Sequence, residues 1–200
     1  MSAIFQTPAS LTDTSLSAPL FKTPLARQKA FFAKPYQSFA TNFHLGFGDE
    51  DTRISVQQSR KTDLFAAPPD HAFVLDLAVE AVAGTKWISL EGKIDPGALT
   101  PTGRLSVLAS MKASARAPVH VTLRVFRADG SFADLGLGGL RPGNGAGYVA
   151  DTVSERLSPL SETLRGGVES AYVLLFFPVE AGLTCSLAML NLFVTEEPVT

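Results

Sequence analysis

Past His71 the chain alternates apolar and polar residues with the period of two that belongs to half-buried strands. The clearest stretch is Val119-His120-Val121-Thr122-Leu123-Arg124-Val125-Phe126-Arg127. There Val119, Val121, Leu123 and Val125 face one way, and His120, Thr122 and Arg124 the other. Ala128-Asp129-Gly130-Ser131 follows. Asp-Gly between alternating apolar residues is a strong hairpin signal, so Phe132–Leu137 is expected to return antiparallel. Ala72–Val79, Lys86–Ile94 and Gly103–Ala109 read as further strands. In the second, Trp87, Ser89, Glu91 and Lys93 alternate against Ile88, Leu90 and Ile94. Tyr172–Phe177 is apolar throughout, as a strand covered on both faces would be. Glu180-Ala181-Gly182 turns the chain, and Thr184–Met189 and Leu190–Thr195 complete the set. Val153–Arg165 is the exception, expected to hold a short helical turn or a loop over one edge. Short strands, Gly/Pro/Asp turns and almost no helical periodicity indicate an all-β antiparallel sandwich over residues 71–200.

Residues 1–70 have a different texture. Nine of the fourteen Phe residues lie in the first 73 positions, and their spacing holds neither a helical nor a strand period. Pro8, Pro19, Pro24 and Pro35 interrupt any helix that starts. The expectation is an extended, mostly irregular Phe- and Pro-rich arm. One short helix fits around Pro24–Lys34, with Thr23 as N-cap and Pro24 at the first helical position. The arm repeats itself: Phe5-Gln6-Thr7-Pro8 recurs as Phe21-Lys22-Thr23-Pro24, and Phe32-Ala33-Lys34-Pro35 is a looser copy. Each unit is a large apolar anchor followed by stiff backbone, suited to docking with little ordering entropy lost. Phe5, Pro8, Phe21, Pro24, Phe32 and Pro35 are therefore candidate docking residues toward a protein partner or a second copy. The alternative is that the arm packs its Phe residues on its own sandwich.

Composition narrows the function. Hydrophobic residues make up 46% of the chain, enough for a real core, and the formal net charge of −2 offers no field for nucleic acid. Cys185, the single cysteine, stands in an apolar run and reads as a small buried hydrophobe. Met1–Leu20 lacks the basic and apolar regions of a secretory signal, and no stretch reaches the length of a membrane span. The expected location is the cytoplasm, or a particle released from the cell.

Ala171-Tyr-Val-Leu-Leu-Phe-Phe-Pro178, Gly182 and Ser186-Leu-Ala-Met-Leu-Asn-Leu-Phe-Val194 resemble the closing strands of jelly-roll domains of the galactose-binding and carbohydrate-binding-module type. Trp87-Ile-Ser-Leu-Glu-Gly92 and Val121-Thr-Leu-Arg-Val-Phe-Arg-Ala-Asp-Gly130 are similar to inner strands of that superfamily. The resemblance covers residues 72–196 and carries no family-defining binding motif. Those domains often close with an acidic residue before the last strand, where this chain has Asn191. The resemblance implies a jelly-roll fold and a non-catalytic module that binds glycans or proteins.

Catalytic and cofactor motifs do not appear. There is no Gly-x-Ser-x-Gly elbow and no phosphate loop. His44, His71 and His120 lie far apart without metal-ligand neighbours, so neither metal nor cofactor is expected. Asp49-Glu50-Asp51 reads as a solvated turn. Asp76, Glu91, Asp95, Asp129, Asp134 and Asp151 include no pair that sequence singles out for glycoside hydrolysis. Gly136–Gly147 reads as a flexible loop whose amides and Asn144 line a rim, with Tyr148 as a stacking face and Arg141 beside it. Trp87 is a second aromatic candidate, with core packing as its plainer role. Arg124, Arg127 and Asp129 form a polar patch on the hairpin. The first reading is thus a recognition module, not an enzyme, that binds glycan or protein through its loops and is anchored to an assembly by its arm. A virion- or spike-like structural protein without a small ligand is the second, and a polysaccharide-active enzyme the third.

Overall fold

Alternation lets one side of each long strand be apolar and the other polar, and two such sheets stack by their apolar sides. The computed structural model describes residues 12–13, 17–25, 30–49, 51–63, 66–145 and 147–196. In chain order they form β1 (Thr12–Asp13), α1 (Ser17–Lys22), β2 (Phe31–Phe32), β3 (Ser38–Ala40), β4 (Phe43–Phe47), β5 (Arg53–Arg60), β6 (Phe73–Ala81) and β7 (Ile88–Ile94). There follow β8 (Gly103–Ala113), β9 (Val119–Phe126), β10 (Phe132–Leu140), β11 (Gly143–Asn144), β12 (Val149–Arg156), α2 (Ser161–Arg165), β13 (Ser170–Phe177) and β14 (Thr184–Glu196).

One sheet has six strands in the order β10-β9-β13-β7-β4-β3. The other has eight, along β11-β8-β14-β6-β5-β2, with β1 also on β14 and β12 also on β8. Strands β6 to β9 and again β12 to β14 pass alternately from sheet to sheet, as in a jelly roll. Pairing is antiparallel apart from the short parallel contact of β11 with β8. The protein is an all-β sandwich.

The core is continuous between the sheets. Val119, Val121, Leu123 and Val125 are 0–1% exposed, and His120 on the same strand is exposed. They meet Leu105, Val107 and Met111 of β8 and Leu187, Leu190 and Leu192 of β14 in one cluster. Cys185 is buried in it, and burial, aided by the charge of Asp76, pushes its thiol up to about 12. The Asp-Gly turn forms as expected: Gly130 has φ +79° and donates its N–H to the Arg127 carbonyl at 3.0 Å.

Several expectations need correction. Thr184–Glu196 is one strand, not two, with its register stepping past Ala188 where Leu187 pairs with Met111 and Met189 with Ser110. Gly136–Leu140 belongs to strand β10, not to a loop, because the irregularity at Gly138 (φ +124°) is absorbed without ending the β9 ladder. Val149–Arg156 is a strand, and the helical turn comes after it, over Ser158–Arg165. The helix expected around Pro24–Lys34 is not seen where described: Pro24 and Leu25 are not helical and Phe31–Phe32 is a strand, while residues 26–29 lie outside the described residues. The helix lies earlier, at Ser17–Lys22, because burying Leu20 and Phe21 outweighs local propensity.

The segment read as irregular to residue 70 supplies β3, β4 and β5 to the sandwich. Phe43, Leu45 and Phe47 point into the core at 0–1% exposure. Ile54 and Val56 do the same on β5, but the next inward position is Gln58. That amide faces inward because it holds the arm: Gln58 Nε2 donates to the carbonyls of Leu20 (2.7 Å) and Thr23 (3.0 Å), and Oε1 accepts from Leu25 N–H (2.7 Å).

Candidate functional site

The polar side of the six-stranded sheet carries three cross-strand rows set by the register. Gly46, Ser89, Phe176 and His120 form one; His44, Glu91, Leu174, Thr122 and Gly136 the next; Lys93, Tyr172, Arg124 and Asp134 the third. Phe126 and Phe132 pair directly beyond them.

Glu91 is the centre of this face. It is only 9% exposed, yet both its oxygens are engaged: Ser89 Oγ donates to Oε1 at 2.7 Å, and His44 Nε2 lies 3.0 Å from Oε2. Burial pushes its carboxyl up. Hydrogen bonds from His44 and Ser89, with the charges of His44 and Arg124, outweigh that, and the net direction is down. Glu91 is a carboxylate held ionised in a nearly dry place. Gly46 makes the room: a Cβ there would lie 2.2 Å from Glu91 Oε1 and 2.7 Å from Ser89 Oγ. Serine, carboxylate and histidine are joined here with the carboxylate in the middle. Nucleophile activation needs the histidine there.

Two strands away, Arg124 donates from Nε and Nη2 to the two oxygens of Asp134, both at 2.7 Å. This fork raises the arginine's pKa further, against a smaller opposing effect of burial. The guanidinium also covers the Phe132 ring at 4.4 Å. Aromatic rings run across the sheet beside these charges. Centroid steps are 5.9 Å from Tyr36 to His44, 5.8 Å to Tyr172, 5.9 Å to Phe126 and 5.8 Å to Phe132. Tyr36 and Phe132, at the ends, are 55% and 54% exposed. Tyr36 holds an unusual backbone, φ +57°, in a turn closed by Gln37 N–H to the Lys34 carbonyl at 3.1 Å. A bulky residue there is strained, and such strain gathers at functional surfaces.

Of the ligand-binding candidates read from sequence, two fall on this face. Arg124 is at its centre. Trp87 turns outward with Ser89 and Glu91 at the other end of β7, half-exposed, its ring where a Cβ on Gly48 would come within 2.7 Å. Its plainer role, core packing, is therefore not its place. The others lie elsewhere. Arg127 is tied to Thr163 (2.7 Å) and Ser131 (3.2 Å), and Asp129 caps its own turn through Ser131 N–H (2.8 Å) and Oγ (2.6 Å). Arg141 and Asn144 sit on the crossing between sheets, with Arg141 N–H on Asp151 at 2.8 Å. Tyr148 is half-buried on the outer side of the eight-stranded sheet, under Lys112 at 4.9 Å and against Ala66, Val74 and Ala188. The ligand-binding candidates thus fall in several regions, with Asn144 and Tyr148 both beside the Lys112–Ala113 end of β8.

The docking candidates divide too. Phe5 and Pro8 lie outside the described residues. Phe21 is fully buried in its own sandwich, which corrects its reading as a free anchor. Pro24 and Phe32 are exposed, Phe32 under the Arg53 guanidinium at 4.4 Å, and Pro35 is half-buried. Sequence reasoning missed Tyr36, His44, Tyr172, Phe132 and Asp134 and gave Glu91 no role. The polar alternation of Ser89, Glu91 and Lys93 was visible. What joins it to His44 and Arg124 is register between strands far apart in the chain.

The fold is a β-sandwich like that of carbohydrate-binding modules. No protein-family model and no curated protein matches the chain. Solved structures do. A cyclase from Fischerella sp. TAU aligns with TM-score 0.58 and 12% identity over 95% of this chain and 100% of its own. A putative sugar binding protein from Bacteroides thetaiotaomicron gives 0.53 and 10%, over 92% of this chain and 100% of its own. The CBM22-1 xylan-binding domain of Paenibacillus barcinonensis Xyn10C gives 0.50 and 9%, over 96% and 99%. At these identities the likeness is one of fold. Among the described residues no helix is long and apolar enough to cross a membrane, and no group of His, Cys, Asp and Glu is placed to hold a metal ion.

Proposed function

We propose that this protein is a non-enzymatic glycan-recognition module and that the outer face of its six-stranded sheet is the binding surface. One observation carries the reading: an ionised, nearly buried Glu91 and a forked Arg124–Asp134 pair lie among aromatic rings on a single sheet face. Sugar hydroxyls need fixed acceptors and donors, and the apolar faces of pyranoses pack on aromatic rings. A sheet offers both in register without paying loop-ordering entropy. The xylan-binding domain and the sugar binding protein that share the fold support the ligand class. The cyclase shows that the same fold also hosts chemistry, so the site must decide. Glu91 is held as a carboxylate and Asp134 is engaged by Arg124, which favours accepting hydrogen bonds over delivering a proton to a leaving group.

The test is affinity electrophoresis through gels containing soluble polysaccharides, xylan among them, backed by a glycan array. The wild-type chain is expected to be retarded by at least one neutral polysaccharide, and Arg124→Ala to run freely. Absence of any retained glycan would end the proposal. Binding indifferent to Arg124→Ala but lost in Tyr148→Ala would move the site to the opposite sheet.

A further inference from the structure

The arm repeat has a counterpart in the fold. Leu20 and Phe21 are fully buried in the core cluster, with α1 against β6 and β14. Phe21 stacks on His71 with centroids 5.6 Å apart and 14° between planes, and its carbonyl accepts from Ala72 N–H at 2.9 Å. Gln58 holds the backbone of Leu20, Thr23 and Leu25. Lys22 pairs with Asp70 at 2.5 Å in the open. The socket thus demands an apolar pair at positions 20 and 21. It grips backbone atoms through Gln58 and Ala72 and leaves position 22 at the surface. Backbone recognition with side-chain pockets at selected positions is how folded domains read peptides.

The chain contains this pattern twice. Leu20-Phe21-Lys22-Thr23-Pro24-Leu25 matches Ile4-Phe5-Gln6-Thr7-Pro8-Ala9 in register. The apolar pair and Thr-Pro are kept; the changes fall at exposed position 22 and at half-buried position 25, and Thr23 and Pro24 are exposed as well. We infer that the socket is a peptide-binding site for an Ile/Leu-Phe pair and the backbone that follows it, and that Ile4–Ala9 of the same chain is its second ligand, exchanging with Leu20–Leu25. The exchange lengthens the connection to Ala30 from residues 26–29 to residues 10–29. Loop closure alone makes that register about tenfold less populated, and the lost pairing of β1 with β14, with smaller losses at positions 22 and 25, lowers it further. The arm therefore has a major and a minor register.

The ion pair supplies the assay. A carbodiimide joins a paired lysine and aspartate without a spacer, so the full-length wild-type chain is expected to yield a 22–70 linkage by mass spectrometry. A chain carrying Gln6→Lys and Lys22→Gln reports the other register as a 6–70 linkage. In monomer this is expected between about a hundredth and about a tenth of the wild-type yield. Adding Phe21→Ala should raise it to that yield or above, and adding Phe5→Ala should abolish it. If Phe21→Ala unfolds by circular dichroism, the chain with Phe21 intact decides alone. A 6–70 linkage below about a hundredth of the reference overturns the inference, as does one found only in covalent dimers, which would assign the ligand to a second copy.

Discussion

The two outer faces of this sandwich are built by the same alternation and end with different chemistry. On the eight-stranded sheet the outward polar groups around Asp76 and Ser106 are small and close on each other, while Lys112 over Tyr148 and Arg53 over Phe32 stand apart from them. Asp76 accepts from Ser59 (2.5 Å) and Ser186 (2.6 Å), and the hydroxyls of Ser106 and Ser154 lie 2.8 Å apart. On the six-stranded sheet they are long, charged or aromatic, and the carboxylate at the centre is nearly buried without a partner sheet above it. The first arrangement satisfies a surface. The second keeps charges and ring faces side by side at the surface, the arrangement on which the proposed glycan site rests.

Truncating one carboxylate on each face gives the widest separation. Glu91→Ala is expected to weaken glycan affinity about 30- to 100-fold by titration calorimetry, the equivalent of about 2–3 kcal/mol for removing a buried hydrogen-bonding charge. Asp76→Ala should leave affinity within about twofold while lowering stability to urea by about 1–2 kcal/mol. Equal effects on binding would erase the distinction between the faces.

Two glycines sharpen the point within the face of the six-stranded sheet. Gly46→Ala forces Glu91 aside and should cost about 1–3 kcal/mol in urea unfolding. Gly136→Ala, where a Cβ meets nothing within 4 Å, should change stability by less than about 0.5 kcal/mol. Acid titration then separates charge from packing. The folded-state pKa of Glu91 is depressed below its ordinary value of 4.5. Its ionised form therefore stabilises the fold above that value, and the contribution fades as pH falls through the lower, folded-state value. The urea midpoint of wild type should exceed that of Glu91→Gln near neutral pH, with the gap closing below 4.5. A gap that widens in acid would reverse the assignment. A modest effect on affinity is expected at the rim. Tyr36→Gly relieves the positive φ and should raise stability by up to about 1 kcal/mol while lowering affinity a few-fold. Tyr36→Ala keeps the strain and should lose affinity alone, as thermal melts and calorimetry can show.

Much of the architecture was legible, and the gaps have causes. β9, β10 and β13 announced themselves because their inward residues are uniformly apolar. β4 alternates equally well, but its outward residues are His44 and Gly46, kept for Glu91, and its phenylalanines blended with those of the arm. β5 was hidden by one residue: Gln58 stands where a third apolar side chain would have completed Ile54 and Val56, because its partner is a backbone and not a core. Tyr172–Phe177 read as a strand covered twice. In fact Leu174, at 1% exposure, is roofed by its own face's neighbours, not by another sheet. The site was less legible than the fold. Arg124 and Trp87 were found as residue types, but their grouping with His44 and Glu91 depends on register between strands well separated in sequence.

Cys185 gives the molecule a built-in timer. Its thiol has no rival in the chain and is almost entirely protonated at neutral pH while the sheets are closed. A thiol-reactive dye added to native protein will therefore wait for the layers to part. Its labelling rate, followed against denaturant, measures the frequency of that opening with no mutation at all, and leaves the outer surfaces clear for probes placed by design.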